Sequence, residues 1–202
     1  FTLTGDADQI YDELLYTEAA DEGFFVYDFF NDANQFQANS SLLGAYAMNE
    51  LPLGNRFNAI YGVRIEQIMM NYSGQNQLGT RLDNERVLDE LSILPSASFV
   101  YRATANMNVR LAGSQTVARP SFKEKSNAQI LDPITNRTFI GNLDLEQTDI
   151  TNLDLRWEYY MQSGELISIS GFYKHFINPI EIVAFKPETP NNFTPRNAES
   201  AN

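Results

Sequence analysis

The chain has 202 residues, with 26 acidic and 14 basic side chains, a formal net charge of −12 at pH 7 and no cysteine. This length allows one domain with a hydrophobic core. The acidic balance argues against nucleic acid as a partner, and the lack of cysteine excludes disulfide bonds and thiolate metal sites. No run of about 18 apolar residues occurs, which excludes a membrane-spanning helix.

Residues 1–39 form an acidic and aromatic segment. It contains nine acidic side chains, and the first basic residue of the chain is Arg56. Aromatic side chains are dense between Phe24 and Phe30. Two interpretations stay open: a loop that packs on itself, and a surface that contacts a ligand. In the second, the ligand-binding residues are Phe24, Phe25, Tyr27 and Phe29.

Residues 40–69 are typical of a hairpin of two long strands with a turn at 51–55. On its second arm the residues alternate, and alternate side chains of a strand point to opposite faces. One face carries Phe57, Ala59, Tyr61, Val63 and Ile65, and the other carries Arg64 and Glu66. The polar, glycine-containing residues 70–93 predict a long loop.

A third segment, residues 95–116, predicts another hairpin with a turn at 103–106. On the return arm Met107, Val109 and Leu111 share one face, and Arg110 lies on the other. Residues 117–147 then predict a long connection, since they contain Arg119-Pro120, Asp132-Pro133 and Gly141-Asn142.

The clearest alternation lies in residues 149–177, which predict two long strands joined by a turn at 162–165. One face of the first arm is apolar and the other is charged, as Arg156 and Glu158 illustrate. This pattern continues for about ten residues, the length that a tilted strand needs to cross a bilayer. The second arm alternates less regularly, because Phe172 falls on the serine side. The apolar face of the first arm carries Thr151, Leu153, Leu155, Trp157 and Tyr159.

The lengths of the connections follow a rule. Short turns at 51–55, 103–106 and 162–165 alternate with long stretches at 1–39, 70–93, 117–147 and 178–202. This predicts an all-β, antiparallel up-and-down transmembrane barrel of about six long strands. A soluble β-sandwich that binds a carbohydrate or a protein remains the alternative, because alternation does not say which face is buried.

The residues predict no catalysis, no cofactor and no metal site. The single histidine, His175, has no nucleophile motif before it. Glu66 and Glu158 are candidates for a pair of catalytic carboxylates. Their alternation with Arg64 and Arg156 instead predicts a charged ladder in which opposite charges compensate across strands.

Several motifs resemble, in order, those of TonB-dependent outer-membrane receptors, with most similarity to the Bacteroidetes group. Residues 106–122, NMNVRLAGSQTVARPSF, resemble the family strand N-x-R-x-S-Y-S-Q-T-x-A-R-P-x-F, with Gly113 in place of its tyrosine. Residues 141–146, GNLDLE, resemble G-N-P-x-L-K-P-E, with Leu143 in place of its proline. The remaining matches are 43–47 (LGAYA), 61–66 (YGVRIE), 152–160 (NLDLRWEYY) and 171–181 (GFYKHFINPIE).

The resemblance implies uptake of a nutrient across the outer membrane, powered by the TonB system. It implies that a ligand, whether a small molecule, glycan or peptide, binds at extracellular loops and that a plug domain opens a path. TonB, the receptor's own plug domain, outer-membrane lipid and a surface lipoprotein are the implied partners.

On this interpretation residues 1–202 are a segment of a larger barrel of about 22 strands. Residues 1–39 and 182–202 are extracellular loop regions, and residues 40–181 form three hairpins with short periplasmic turns. The lumen-facing residues are Arg64, Glu66, Arg110, Arg156 and Glu158.

Overall fold

The computed structural model of the chain describes residues 34–76, 78–132, 134–186 and 189–202. Within these ranges the chain is built from β-strands, which form two sheets. None of the described residues form a helix long and apolar enough to cross a membrane. The strands are β1 (Phe36–Leu53), β2 (Phe57–Gln75), β3 (Arg81–Thr104), β4 (Met107–Ala118), β5 (Gln129–Asp132), β6 (Arg137–Ile140), β7 (Thr148–Tyr160), β8 (Leu166–Ile177), β9 (Ile180–Lys186), β10 (Thr189–Asn197) and β11 (Ser200–Ala201).

The larger sheet has seven strands in the order β1-β2-β3-β4-β7-β8-β11, and every neighbouring pair is antiparallel. Its long strands are connected at one end by short turns at 54–56, 105–106 and 161–165. Gly54 and Gly164 adopt φ values of 70° and 87° in two of these turns, a conformation that glycine adopts without steric cost. The predicted antiparallel, up-and-down sheet of long strands is confirmed.

The predicted loop at 70–93 is wrong. Strand β2 continues to Gln75, β3 begins at Arg81, and the two remain paired as far as the Gln75–Arg81 pair. Only residues 76–80 connect them. The polar residues of this stretch therefore lie in paired strands, at the end of a long hairpin that is farthest from the short turns.

The face that carries the apolar residues changes along β2. Up to Ile65 the exposed apolar side chains occupy odd positions, whereas Ile68, Met70 and Tyr72 are buried at even positions. The segment that follows β4 folds back over this even face, where the backbone N–H of Asn127 donates a hydrogen bond to Tyr72 Oη at 3.2 Å. Leu88 of β3 completes a small core with Ile68 and Met70.

Strand β3 leaves β4 at a proline. The ladder between β3 and β4 ends at the Ser96–Ser114 pair, while β3 remains paired with β2 as far as Arg81. Pro95 lies at the point of separation, and a proline has no N–H to donate to a neighbouring strand. Above Pro95, β3 pairs only with β2, which itself remains paired with β1 as far as the Phe36–Gly74 pair. Gln147 joins this part of β3 through a 3.0 Å hydrogen bond to Ser92 Oγ.

The smaller sheet joins two connections that are distant in sequence. Its order is β5-β6-β10-β9, and the parallel contact between β6 and β10 pairs Phe139 with Phe193. Glu146 N donates to Asn197 Oδ1 at 2.9 Å, and Asn142 Nδ2 donates to the carbonyl of Pro195 at 3.2 Å. The stretch 178–202 thus contains strands β9, β10 and β11, the last of which pairs with β8 of the large sheet, and its predicted extracellular position stays a prediction.

We expect a Gly141→Ala substitution to loosen the connection between β4 and β7. A Cβ on Gly141 would overlap the carbonyl oxygen of Ser126 and lie 2.9 Å from that of Lys123. Relieving such overpacking typically costs about 1–3 kcal/mol. Hydrogen exchange of the full-length receptor should show faster exchange in residues 119–147 and little change in the large sheet.

Gly171→Ala is the matched control, because nothing lies within 4 Å of a Cβ at that position. Equal protection of residues 119–147 in wild type and G141A would show that this close packing does not hold the connection.

Candidate functional site: the charged face of the large sheet

One face of the large sheet, here called the apolar face, carries continuous rows of exposed apolar side chains. In one row the register pairs Leu51 with Ala59, then Phe99, Leu111 and Leu155 on successive strands. Four of these five side chains are at least 41% exposed, Ala59 being the buried one. A monomeric soluble protein rarely exposes so extended an apolar surface, which indicates that another apolar medium covers it.

Aromatic side chains collect on the apolar face near the short turns. The rings of Phe57 and Tyr101 stack with centroids 4.6 Å apart, and those of Trp157 and Tyr159 lie 6.2 Å apart. A band of aromatic residues at one end of an apolar surface is typical of barrels at the boundary between lipid and water.

The opposite face, here called the charged face, carries all five of the residues predicted to line a lumen. The register places Asn58, Val100, Arg110 and Arg156 in one row across β2, β3, β4 and β7. Arg64 and Glu66 lie six and eight positions along β2 from Asn58, and Glu158 lies two positions from Arg156, so all of them share this face. The predicted ligand-binding residues Phe24, Phe25, Tyr27 and Phe29 lie outside the described residues. Phe172 is also on the charged face, as its irregular position in the alternation predicts.

The first cluster of the charged face surrounds Glu66, which is 7% exposed. Its Oε1 is paired with Arg64 Nε, and its Oε2 accepts a hydrogen bond from Arg119 Nη2 at 2.5 Å. Gly44, the cross-strand partner of Glu66, leaves room for this arrangement, since a Cβ there would lie 2.9 Å from Arg64 Nη2. We call Arg64, Glu66 and Arg119 the upper triad.

The second cluster surrounds Glu158, which is 5% exposed. Arg110 Nε donates to Glu158 Oε2 at 2.9 Å, and Arg156 Nε lies 3.0 Å from Oε1. The hydroxyl of Tyr160 donates to Oε2 at 3.0 Å. We call Arg110, Glu158 and Arg156 the lower triad, because it lies nearer the short turns.

The predicted compensation of opposite charges across strands holds only in part. Each glutamate is shared by two arginines, and two of the ion pairs, Arg64 with Glu66 and Arg156 with Glu158, lie along a single strand. The sequence reading missed Arg119 because it lies in a connection, although the A-R-P motif contains it. Among the described residues, no group of three or more His, Asp or Glu side chains is placed to hold a metal ion.

Lys125 fixes the segment that covers the upper part of β2. Its side chain is buried, and Nζ donates hydrogen bonds of 2.5 Å to the carbonyl oxygens of Leu143 and Leu145. Burial lowers the pKa of Lys125, while the carboxylates of Asp144 and Glu146 act in the opposite direction. The lysine therefore fixes the segment between β4 and β7, from which Arg119 reaches Glu66.

Comparison with known proteins gives one family match and several structural matches. A family model described as "TonB dependent receptor-like, beta-barrel" matches residues 1–202. The fold is similar to that of the copper transporter OprC, with a TM-score of 0.60, 14% identity, and coverage of 80% of this chain and 24% of that chain. No curated protein sequence matches the chain.

Two further solved structures have a similar fold. The ferric-catecholate import receptor Fiu from E. coli K12 gives a TM-score of 0.50, 14% identity, and coverage of 80% of this chain and 24% of that chain. The siderophore receptor PirA from Pseudomonas aeruginosa gives 0.50 and 14%, with coverage of 81% and 38%. The chain thus spans 24% of the length of two of these proteins and 38% of the third.

Proposed function

The chain belongs to the family of TonB-dependent receptor β-barrels, and we propose that it forms part of the barrel of a receptor that imports a nutrient across the outer membrane. Receptors of this family are outer-membrane proteins. The energy for import comes from TonB, and the receptor's plug domain opens the path. The short turns face the periplasm, and the connections at the other end of the sheet face the outside of the cell.

The observation that carries this proposal is the difference between the two faces of the large sheet. The apolar face meets outer-membrane lipid, because strands in a membrane barrel alternate between lipid-facing apolar and lumen-facing polar residues. The charged face lines the lumen or contacts the plug domain. Because the apolar face is exposed and has no second sheet packed against it within the described residues, a soluble β-sandwich is disfavoured.

The solved structures that share this fold do not identify the nutrient. The structurally similar proteins are named for copper, a ferric catecholate and siderophores, and at 14% identity their likeness extends to the fold. We therefore propose a transporter without catalytic residues or cofactor, whose ligand is chosen by the connections at the extracellular end. A surface lipoprotein is a further proposed partner at that end.

The experiment that tests transport uses a deletion of the full-length gene. Growth of the deletion strain is measured with a ferric siderophore, a copper chelate, a glycan or a peptide as the limiting nutrient. We expect slower growth on one class, restored by the full-length gene and not by a version that cannot engage TonB. Normal growth on all four classes, in cells that normally display the receptor, would contradict this proposal.

We further predict that the aromatic cluster of residues 24–29 contributes to ligand recognition. The described end of this acidic segment meets a connection of the same extracellular side, since Gln129 N donates to Asn34 Oδ1 at 2.9 Å. Aromatic faces suit sugar rings and apolar ligands. A receptor with Phe25, Tyr27 and Phe29 changed to alanine should lose cell-surface binding and uptake of the nutrient found above, at normal surface display. Unchanged binding and uptake would remove the cluster from the binding site.

A further inference from the structure

Strands β3 and β4 separate at the end of the large sheet that is farthest from the short turns, and a cavity of about 300 Å³ lies between them. The ladder that joins them ends at the Ser96–Ser114 pair. Beyond it β3 continues along β2, and β4 remains paired with β7 as far as the Ala118–Thr148 pair. We call this gap the fork. Residues 90–94 line one side of it, and residues 115, 116 and 149–151 line the other.

The fork opens toward the apolar face of the sheet. On that face its lining side chains are all exposed, among them Leu91 (60%), Ile93 (59%) and Ile177 (48%). On the charged face, by contrast, Ser92 is buried and Leu94 is half-buried. A plug domain in the lumen meets the charged face and so leaves this opening uncovered. The occupant of the fork therefore comes from the medium that covers the apolar face.

The fork lies at the level where the apolar face becomes polar. Gln115, Thr151 and His175 form one row of this face across β4, β7 and β8. Two residues nearer the short turns, the same face carries Leu153 beside Tyr173. A change from aliphatic through aromatic to polar side chains is expected where hydrocarbon meets lipid headgroups. The fork therefore lies at the outer boundary of the hydrocarbon layer, opposite the periplasmic turns.

The fork combines apolar side chains with open strand edges. Leu91 and Ile93 lie beyond the separation and continue the apolar face of β3 past this level. Beside them, the backbone groups of β3 and β4 that point into the fork have no partner strand among the described residues. Open strand edges are not left facing hydrocarbon. A lipid meets both requirements, since its chain covers the apolar side chains and its head hydrogen-bonds the open edges.

The charges of the fork favour one kind of lipid head. Glu90 and Asp149 line the cavity, no lysine or arginine of the described chain does, and neither carboxylate forms an ion pair there. Lipid sites for anionic heads are built from basic residues, which are missing from this lining. A primary ammonium group has three N–H donors, which suit carboxylates and free carbonyl oxygens. Gln115 and Thr151 supply donors for the phosphate oxygens of such a head.

We propose that the fork is a binding site for a membrane lipid whose head carries a primary amine and a phosphate group. The acyl chain covers Leu91 and Ile93, the ammonium group pairs with the two carboxylates, and the phosphate meets Gln115 and Thr151. A lipid held in this way closes the gap in the wall between β3 and β4. The proposal rests on the lipid-facing placement of the apolar face, and it concerns lipid binding rather than the transported nutrient.

The test uses the full-length receptor, purified in detergent and freed of lipid, with phosphatidylethanolamine as the probe. Two lipids with the same acyl chains serve for comparison. Phosphatidylcholine has a quaternary ammonium group that cannot donate a hydrogen bond, and phosphatidylglycerol is anionic. Native mass spectrometry counts the lipids that each receptor retains. We expect the wild-type receptor to retain phosphatidylethanolamine, and the retention of each of the other two lipids to be at most half as high.

Two mild substitutions in the fork, Ile93→Ala and Asp149→Asn, should each at least halve the retention of phosphatidylethanolamine. Ile169→Ala is the control for the first, since Ile169 is 68% exposed on the apolar face of β8, away from the fork. Asp154→Asn is the control for the second, since Asp154 is exposed on the charged face of β7. Both controls should retain the lipid like wild type. Equal retention of the three lipids by wild type, or unchanged retention in I93A and D149N, would overturn the inference.

The lipid site and the transport function fail in different ways. If the deletion strain loses growth on one nutrient while both fork variants retain phosphatidylethanolamine like wild type, transport stands and the lipid site falls. If the fork variants lose the lipid as expected but the deletion strain grows normally on every nutrient, the lipid site stands and the transport proposal falls.

Discussion

A Leu155→Arg substitution is expected to destabilise the receptor strongly, whereas Asp154→Arg, one residue away, is expected to cost far less. Leu155 is 53% exposed on the apolar face, and its register partner on β4 is Leu111. Arginine on a lipid-facing position costs about 2–4 kcal/mol near the bilayer midplane. Asp154 lies on the charged face, where a long cationic side chain reaches water or the plug domain.

The measurement is urea-induced unfolding of the full-length receptor in lipid vesicles, followed by the mobility difference between folded and unfolded barrel on gels. Leu111→Arg is a second variant at the same level of the sheet and should behave like Leu155→Arg. Equal costs for Leu155→Arg and Asp154→Arg would mean that Leu155 packs against protein.

The second large effect is expected from Glu158→Gln. The change removes the negative charge between two arginines that are direct cross-strand partners. Removing one member of a fully buried ion pair costs about 3–5 kcal/mol. Because Arg110 and Arg156 are nearly half exposed, we expect roughly half of that cost.

The same unfolding experiment measures this effect. Glu165→Gln is the control, since Glu165 is exposed in the turn between β7 and β8 and its carboxylate accepts a hydrogen bond from the hydroxyl of Ser163 and forms no ion pair among the described residues. Adding Arg156→Gln to Glu158→Gln removes the repulsion between the two arginines and should restore part of the lost stability. No loss in Glu158→Gln would show that the lower triad does not contribute to the fold.

The large sheet could be predicted from the sequence because, in its lower part, each strand must present one apolar face and one polar face. From the short turns up to Ile65 on β2, and along β7, most of the exposed apolar residues keep one parity, and the alternation can be read directly. At Ile68 the parity changes, since the other face of the hairpin is now covered by the segment after Arg119. The alternation within a single strand does not show that a distant segment covers the other face. Residues 70–93, the far end of this hairpin, were therefore predicted as a loop.

For the candidate site, the sequence predicted which face the charged residues occupy, and it did not predict how they pair. The positions of Arg64 and Arg110 follow from alternation, because a strand fixes the face of each side chain. The ion pairs of the two triads do not follow from alternation, because they depend on which glutamate each arginine reaches. Arg119 shows the limit most clearly, since 53 residues separate it from Glu66 and only the folding back of its segment brings them together.

The pairing between the two long connections was also beyond the sequence pattern. Strands β6 and β10 meet in parallel over only two residue pairs, Asn192 with Thr138 and Phe193 with Phe139. Such short strands have no length over which a period can be recognised. Asn197 and Glu146 strengthen the contact through side-chain and backbone hydrogen bonds, which depend on the tertiary arrangement.

The central claim, that the apolar face meets lipid and the charged face meets water, is tested most directly by a cysteine scan along β7. Residues 1–202 contain no cysteine, so each introduced cysteine carries the only label in this part of the receptor. Spin labels at positions 151–160 of the full-length receptor in vesicles are tested for access to oxygen, which partitions into lipid, and to a water-soluble nickel complex. We predict a period of two, with odd positions accessible to oxygen and even positions not. Equal access at both parities, or lipid contact at Arg156 and Glu158, would contradict the account.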